Sequence, residues 1–385
     1  VVLYNATMHY EQLQENASQH VYDERISDEY FTLKSVQLEN LLSLNACRYV
    51  SISDQGYLRN ANKSHIARHY ITQNNFIRGT LSSLDSFPFD NSSATKFDSF
   101  HVNVGHGNCS FVVNEKTKEI ILVDCGEYDY LNHVNYRSNI QHCLDHIQKK
   151  FNISNLHIGL FILTHIHYDH YSGIEHLIDC SIIDNRSVGV FCQHYSMPSP
   201  KFNDLIKKIK QKNISAIDPF FIKNSNLIKI LYPRKIIVRT KTKNNQHLNP
   251  VVETNPNNAS IVFNLNSSNK SFLFTGDIET KGLNSINNCS PYFNNADFFA
   301  IPHHGSITGF YRNVCNRNLS ISNVSNCLKT GTIPVLMGRD GAYRGVYSST
   351  VTNTFSNIIY SEKNPQGNTA EFVELDWNTG QSIWF

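Results

Sequence analysis

Nine cysteines are scattered through the 385 residues without a single CxxC pair, and their number is odd. Neither a disulfide framework nor a thiolate zinc site is built that way, so reduced thiols in a cytoplasmic setting are the expectation. Charge is scarce as well. Only 17% of residues are Asp, Glu, Lys or Arg and the formal net charge is +2, so no global basic field announces nucleic acid, and such a partner would have to meet a local patch. No apolar run reaches the roughly 18 residues of a membrane-spanning helix, and the amino-terminal residues lack a signal-peptide pattern. What is present, 40% hydrophobic and 11% aromatic residues, suffices for one large core plus a smaller domain.

The densest chemistry lies in Thr164-His-Ile-His-Tyr-Asp-His-Tyr-Ser-Gly173. The apolar run before it, 157–163, reads as a buried strand, which places the cluster in the loop at that strand's end. There His165 and His167 would project to one side, and Asp169 and His170, after a bend, could serve a neighbouring ion. Imidazole nitrogens and a carboxylate suit Zn²⁺, Fe²⁺ or Mn²⁺. The chain holds eighteen histidines, yet an HxHxDH directly after a buried strand is hard to reach by chance.

The flanking pattern is that of a β core with helices. Three strands from Ser99 to Asp124 form a meander ending in Asp124-Cys-Gly126, and Arg137 to Phe151 is an amphipathic helix. Helix Gly173–Asp179, strand Ser187–Cys192 and helix Phe202–Lys212 follow. Two further strands deliver Thr275-Gly-Asp277, a carboxylate placed to bridge two cations, and strand Asp297–Ile301 delivers Pro302-His-His-Gly-Ser306. Strands alternating with helices around a β core predict a helix-covered sandwich. Residues 1–97 carry helical stretches, notably Tyr30 to Leu44, and then a polar run, 86–95, that reads as a linker; they are expected to be an accessory, partner-contacting region, leaving 98–385 as the catalytic domain.

HxHxDH, then Asn258-Ala-Ser260-Ile-Val, Thr-Gly-Asp and Pro-His-His-Gly-Ser, in that order, resemble the metallo-β-lactamase fold superfamily, and within it the soluble domain of the ComEC competence proteins, over about Phe97 to Ser306. The resemblance implies an α/β fold, an αββα sandwich, and a metal-dependent hydrolase with two divalent ions, Zn²⁺ or else Mn²⁺. It implies His165, His167, Asp169, His170, Asp277 and His303 as ligands, with His304 beside them as proton donor or alternative ligand. Asp124 would support the metal loop from behind, and Asn258 and Ser260 stand where many relatives place a further histidine. His194 is read as hydrogen-bonding rather than filling that role. In this picture two cations activate a hydroxide for in-line attack, Asp169 and Asp277 orient it, and His304 or a metal-bound water protonates the leaving oxygen.

For substrate, the resemblance points to a phosphodiester of nucleic acid. A basic run through Lys235, Arg239 and Lys241, with Arg339 and Arg344 later, offers phosphate contacts. A small ester, lactone or phosphodiester, held near Tyr168, Tyr171 and Phe310, is the alternative; a non-catalytic sensor module is a third reading. The chain departs from the ComEC-like pattern after Ile333–Gly338, where Arg339–Arg344 has no histidine.

Overall fold

The computed structural model describes residues 96–192, 199–217, 227–232, 256–279, 295–307, 328–342 and 345–385, with scattered short strands and single positions elsewhere. The chain divides into two compact units. The first takes residues 1–76, 194–204 and 236–254. Its described strands form a three-stranded antiparallel sheet, Val2–Tyr4 with Val50–Ile52 and Leu58–Asn60, and two hairpins, His20–Tyr22 with Tyr30–Thr32 and Ile237–Thr242 with Asn245–Pro250. The helix expected from Tyr30 therefore opens as a strand, in keeping with the aromatic and β-branched Tyr-Phe-Thr found there. Residues 33–44 of that expected helix lie outside the described residues.

The second unit takes residues 77–193, 205–235 and 255–385. Its meander, β1 (Phe97–Val102), β2 (Cys109–Asn114) and β3 (Ile120–Cys125), is antiparallel. Helix α1 (Arg137–Phe151) buries Ile140, Cys143, Leu144, Ile147 and Phe151, the stripe expected at helical spacing. Then come β4 (Ile158–Ile162), α2 (Tyr168–Tyr171), α3 (Ile174–Asp179), β5 (Val188–Val190) and β6 (Ser215–Ile217). The second half supplies β7 (Ile228–Tyr232), β8 (Val262–Asn266), β9 (Ser271–Phe274), β10 (Phe298–Ala300), β11 (Ile333–Leu336) and β12 (Ile359–Tyr360). The chain closes with β13 (Phe372–Asp376) and β14 (Ser382–Trp384).

These strands make an eight-stranded sheet, β6-β5-β4-β3-β2-β1-β13-β14, and a six-stranded sheet, β7-β8-β9-β10-β11-β12. One apolar core joins their inner faces, with Val112, Ile121, Leu160 and Ile162 from the first sheet and Phe263, Phe272, Phe274 and Phe298 from the second. The outer face of the second sheet is covered by a separate cluster holding Ile278, Leu283, Ile286, Tyr347 and Val351. On the outer face of the first, Phe151 of α1 meets Phe100 edge-on at 6.1 Å, and Lys150 pairs with Asp98 and Glu374. The result is the four-layered αββα arrangement. Strands covered on both faces read as unbroken apolar runs, which is why Ile-Ile-Leu-Val123 is buried at every position.

Parallel pairing decides where the chemistry goes. β4 runs parallel to β3, and β9, β10 and β11 run parallel to one another. Their carboxyl ends open on loops at one rim of the sandwich, the place where open α/β sheets hold their ligands.

Candidate metal centre

Five loops meet at this rim. Asp124, at the end of β3, adopts φ 54°, a left-handed backbone unusual for a residue with a side chain. The turn aims its buried carboxylate at the metal loop, where it accepts hydrogen bonds from the Thr164 amide at 2.7 Å, the Thr164 hydroxyl at 2.8 Å and His170 Nδ1 at 2.8 Å. The loop passes so close to the meander that a Cβ on Gly126 would lie 2.1 Å, and one on Gly107 2.4 Å, from the Asp169 carbonyl oxygen. Glycine is required at both turns because backbone, not a movable side chain, fills the space.

Six side chains form two overlapping donor groups. Asp169, His170, Asp277 and His304 make one, and His165, His167 and Asp277 the other; within each group the candidate ligand atoms lie within 4.8 Å of one another. Asp277 is common to both. It follows Gly276, where φ is +52° and a Cβ would lie 2.7 Å from the Thr164 side chain, and its amide donates to Ser260 Oγ at 3.1 Å. His165 Nε2, His170 Nε2, His304 Nε2 and Asp277 Oδ1 are buried without a hydrogen-bond partner, although His170 Nε2 sits 3.3 Å from Asp277 Oδ1 and His304 Nε2 3.4 Å from Asp277 Oδ2. Buried polar atoms are almost always satisfied, so four orphans spread over the two groups fit bound cations.

The opposite edges of the rings agree. His170 Nδ1 donates to Asp124, His304 Nδ1 donates to the Met337 carbonyl at 3.2 Å, and His165 Nδ1 lies 3.2 Å from Thr164 Oγ1. Each contact holds the ring so that Nε2 points inward, as in metal sites generally.

Electrostatics point the same way. Burial opposes charge on His304, but Asp277 and Asp169 outweigh it and carry its pKa up to about 9. His170 is pushed up likewise against its burial by Asp277, Asp124 and Asp169. His165 is pushed well below its usual range by burial and by His170, which keeps it a neutral donor. A carboxylate field that holds protons on two imidazoles will hold a divalent cation in their place, with release of those protons.

The two donor groups do not include every expected ligand. His304 rather than His303 belongs to the four-residue group. Both adopt left-handed backbone, φ 52° and 50°, in the turn after β10, which rotates His304 inward and leaves His303 on the cleft wall. There His303 Nε2 lies 3.4 Å from the Asn257 amide nitrogen and Nδ1 3.7 Å from Glu279 Oε1. Asn258 is turned from the centre: its amide donates to Glu279 Oε2 at 3.1 Å and its oxygen accepts from the Gly282 amide. Arg339 is an internal partner of the fully buried Asp129, Nε to Oδ2 3.1 Å. Tyr168 lines the cleft and Tyr171 is buried. His194, Phe310, Arg344, Lys235 and the side chains of Arg239 and Lys241 lie outside the described residues.

Two contributors escaped the sequence reading. His106 meets His304 at a tilt with ring centroids 4.4 Å apart, its Nε2 lies 3.8 Å from Asp169 Oδ2, and burial together with His304 lowers its pKa to about 3. Its only signal was the histidine inside the Gly-His-Gly turn. Glu279, two residues after Asp277, gathers Asn257, Asn258 and His303. The centre opens into a cleft of about 470 Å³ lined by, among others, His106, Tyr128, Tyr130, Tyr168, His303 and Val346.

No curated protein matches the chain. Among solved structures it is similar to the metallo-beta-lactamase fold protein YhfI from Bacillus subtilis, at 12% identity over 68% of this chain and 95% of that one, TM-score 0.37. It is similar to yeast PDE1 at 11% identity over 69% and 97%, TM-score 0.38, and to a diphosphatase of the PhnP family at 10% over 75% and 98%, TM-score 0.35. The family model of the metallo-beta-lactamase superfamily matches residues 102–314, a span that runs from the end of β1 and holds all six candidate ligands. The chain belongs to the metallo-beta-lactamase superfamily, a superfamily of metal-dependent hydrolases.

Proposed function

We propose that the chain is a phosphodiesterase in which His165, His167 and Asp277 hold one divalent ion, and Asp169, His170, Asp277 and His304 a second. The observation that carries this reading is Asp277, buried between the two groups and shared by both. The ligand set has only two carboxylates, Asp169 and Asp277, the other four ligands being imidazoles. Two divalent ions therefore leave the centre with a net positive charge, which favours an anionic substrate over a neutral ester or lactone. Bound there, such ions supply Lewis-acid charge neutralisation and lower the pKa of water.

The protein's own contribution is positional. Asp124 and Met337 lock the imidazole orientations, and the Asp277 amide, held by Ser260, fixes the shared carboxylate. His303, on the cleft wall beside Glu279, is the side chain placed to hand a proton to the leaving oxygen, the part that His304 loses by turning inward. The order of the motifs supports a place in the ComEC-like branch and keeps nucleic acid among the substrates to be offered. The test is incubation of Zn²⁺- or Mn²⁺-reconstituted protein with bis(p-nitrophenyl) phosphate, p-nitrophenyl acetate, a simple lactone and single-stranded DNA. Turnover of a phosphodiester with about two ions per chain is expected. Turnover of the acetate or lactone alone would overturn the reading.

A further inference from the structure

Between β3 and α1 the chain forms a small hairpin, Tyr128–Asp129 paired with Val134–Asn135. Five large apolar side chains are exposed among the described residues, and three of them, Tyr130 (44%), Leu131 (40%) and Val134 (40%), are on this hairpin. Tyr130 and Leu131 line the cleft. Exposed apolar groups gathered at a site mark recognition more often than chance.

The tip is held firmly from below. Asp129, fully buried, accepts from the amides of Leu131 at 2.9 Å, Asn132 at 3.3 Å and His106 at 3.4 Å, and pairs with Arg339. At the hairpin's exit Arg137 grips Glu127 through two bonds, 2.6 and 3.1 Å, and the Glu127 amide donates to Ser172 Oγ at 2.8 Å. Such a tip is ordered before a ligand arrives, which lowers the cost of binding one.

The rings form a continuous wall leading to the centre. Tyr130 meets Tyr128 edge-on at 5.0 Å and Tyr168 at 4.9 Å. Tyr168 is the residue between His167 and Asp169, so the wall ends at the donor atoms. No lysine or arginine is among the described residues lining the cleft, and Arg339 is committed to Asp129. A polymer's run of phosphates finds no partner on this wall, whereas a single planar ring finds stacking faces.

We infer that the Tyr128, Tyr130 and Tyr168 wall is the subsite for a planar aromatic group on the non-leaving side of the ester, so that the substrate is a small phosphodiester carrying such a ring. The inference rests on the phosphodiester reading above and adds the substrate class. A cleft of about 470 Å³ falls within the range of small-molecule sites.

The test compares two substrates with the same leaving group, bis(p-nitrophenyl) phosphate and ethyl p-nitrophenyl phosphate, on the metal-loaded protein and on Tyr130→Ala and Tyr130→Phe. Stacking on one aromatic side chain makes the expected effect about tenfold. Tyr130→Ala should cut the aryl-over-ethyl preference in kcat/KM by that factor, chiefly through KM and with unchanged metal content, and Tyr130→Phe should restore it. An unchanged preference in Tyr130→Ala overturns the subsite. Single-stranded DNA cleaved in preference to both diesters, with a steep salt dependence, overturns the small-substrate assignment. If no diester turns over, the phosphodiester reading itself fails, and calorimetric binding of adenosine 5′-monophosphate against ribose 5-phosphate still judges the wall. The nucleotide should bind the parent about tenfold tighter than ribose 5-phosphate does, and the two should bind Tyr130→Ala equally; equal binding to the parent refutes it.

Discussion

Replacing Asp124 by Asn tests whether the centre is organised from behind as well as by its ligands. The substitution preserves shape but removes the charge and one of two acceptor oxygens. Oδ1 now accepts from the Thr164 amide, and Oδ2 accepts from the Thr164 hydroxyl and from His170 Nδ1. A single amide oxygen can serve only one side of that set, so at least one buried donor is left facing an NH₂ group. Each such donor costs about 1–3 kcal/mol. Because His170 can then rotate away, the loss reaches the metal: support groups of this kind are worth about 10–100-fold in affinity, or roughly 1.4–2.7 kcal/mol. Asp277→Ala serves as the contrast, since it removes a donor from both groups at once and should abolish one ion outright. Equilibrium dialysis against buffered Zn²⁺, read by elemental analysis, separates weakened affinity at full stoichiometry (Asp124→Asn) from lost stoichiometry (Asp277→Ala), and circular dichroism confirms folding. Parental affinity in Asp124→Asn would refute the supporting role; two tightly bound ions in Asp277→Ala would refute the shared carboxylate.

The roles proposed for the adjacent histidines are checked by the same dialysis: His304→Ala should lose metal, whereas His303→Ala should keep it and lose about 100-fold in kcat. His101 offers a stability test away from the centre. It is fully buried between Ser99 and Ser110, and burial lowers its pKa to about 3. The unfolded chain takes up its proton near pH 6.5 and the folded chain does not, so its contribution is present above pH 6.5 and declines as pH falls from there toward 3, by as much as about 4–5 kcal/mol. Urea midpoints measured across that window should fall less steeply in His101→Asn than in the parent. Arg339→Ala should destabilise the unit by about 1–3 kcal/mol, because it strands the buried Asp129 carboxylate; calorimetric unfolding at neutral pH measures it, and an unchanged transition would show that the pair holds nothing in place.

Much of this centre follows from local order in the chain. HxHxDH after an apolar run, Thr-Gly-Asp after another and Pro-His-His-Gly after a third each place ligand types at a strand's end, and strand period and length are local properties. The apolar runs of β3 and β4 were legible for the same reason, as was the face of α1. Other features depend on what distant segments bring. The choice of His304 over His303 hangs on two left-handed residues and on the Met337 carbonyl, which is more than thirty positions away in the chain. Arg339 looks like a free phosphate ligand until Asp129 is found beside it, and His106 looks like a turn residue until β10 delivers His304 against it. The carboxyl end of the chain told the same story: β13 pairs with β1 across the whole length of the unit, and no local period announces a partner that far away. Backbone propensity and side-chain chemistry are written residue by residue, but the direction in which a side chain points, and what neutralises it, is settled only when parallel strands bring their ends to one rim.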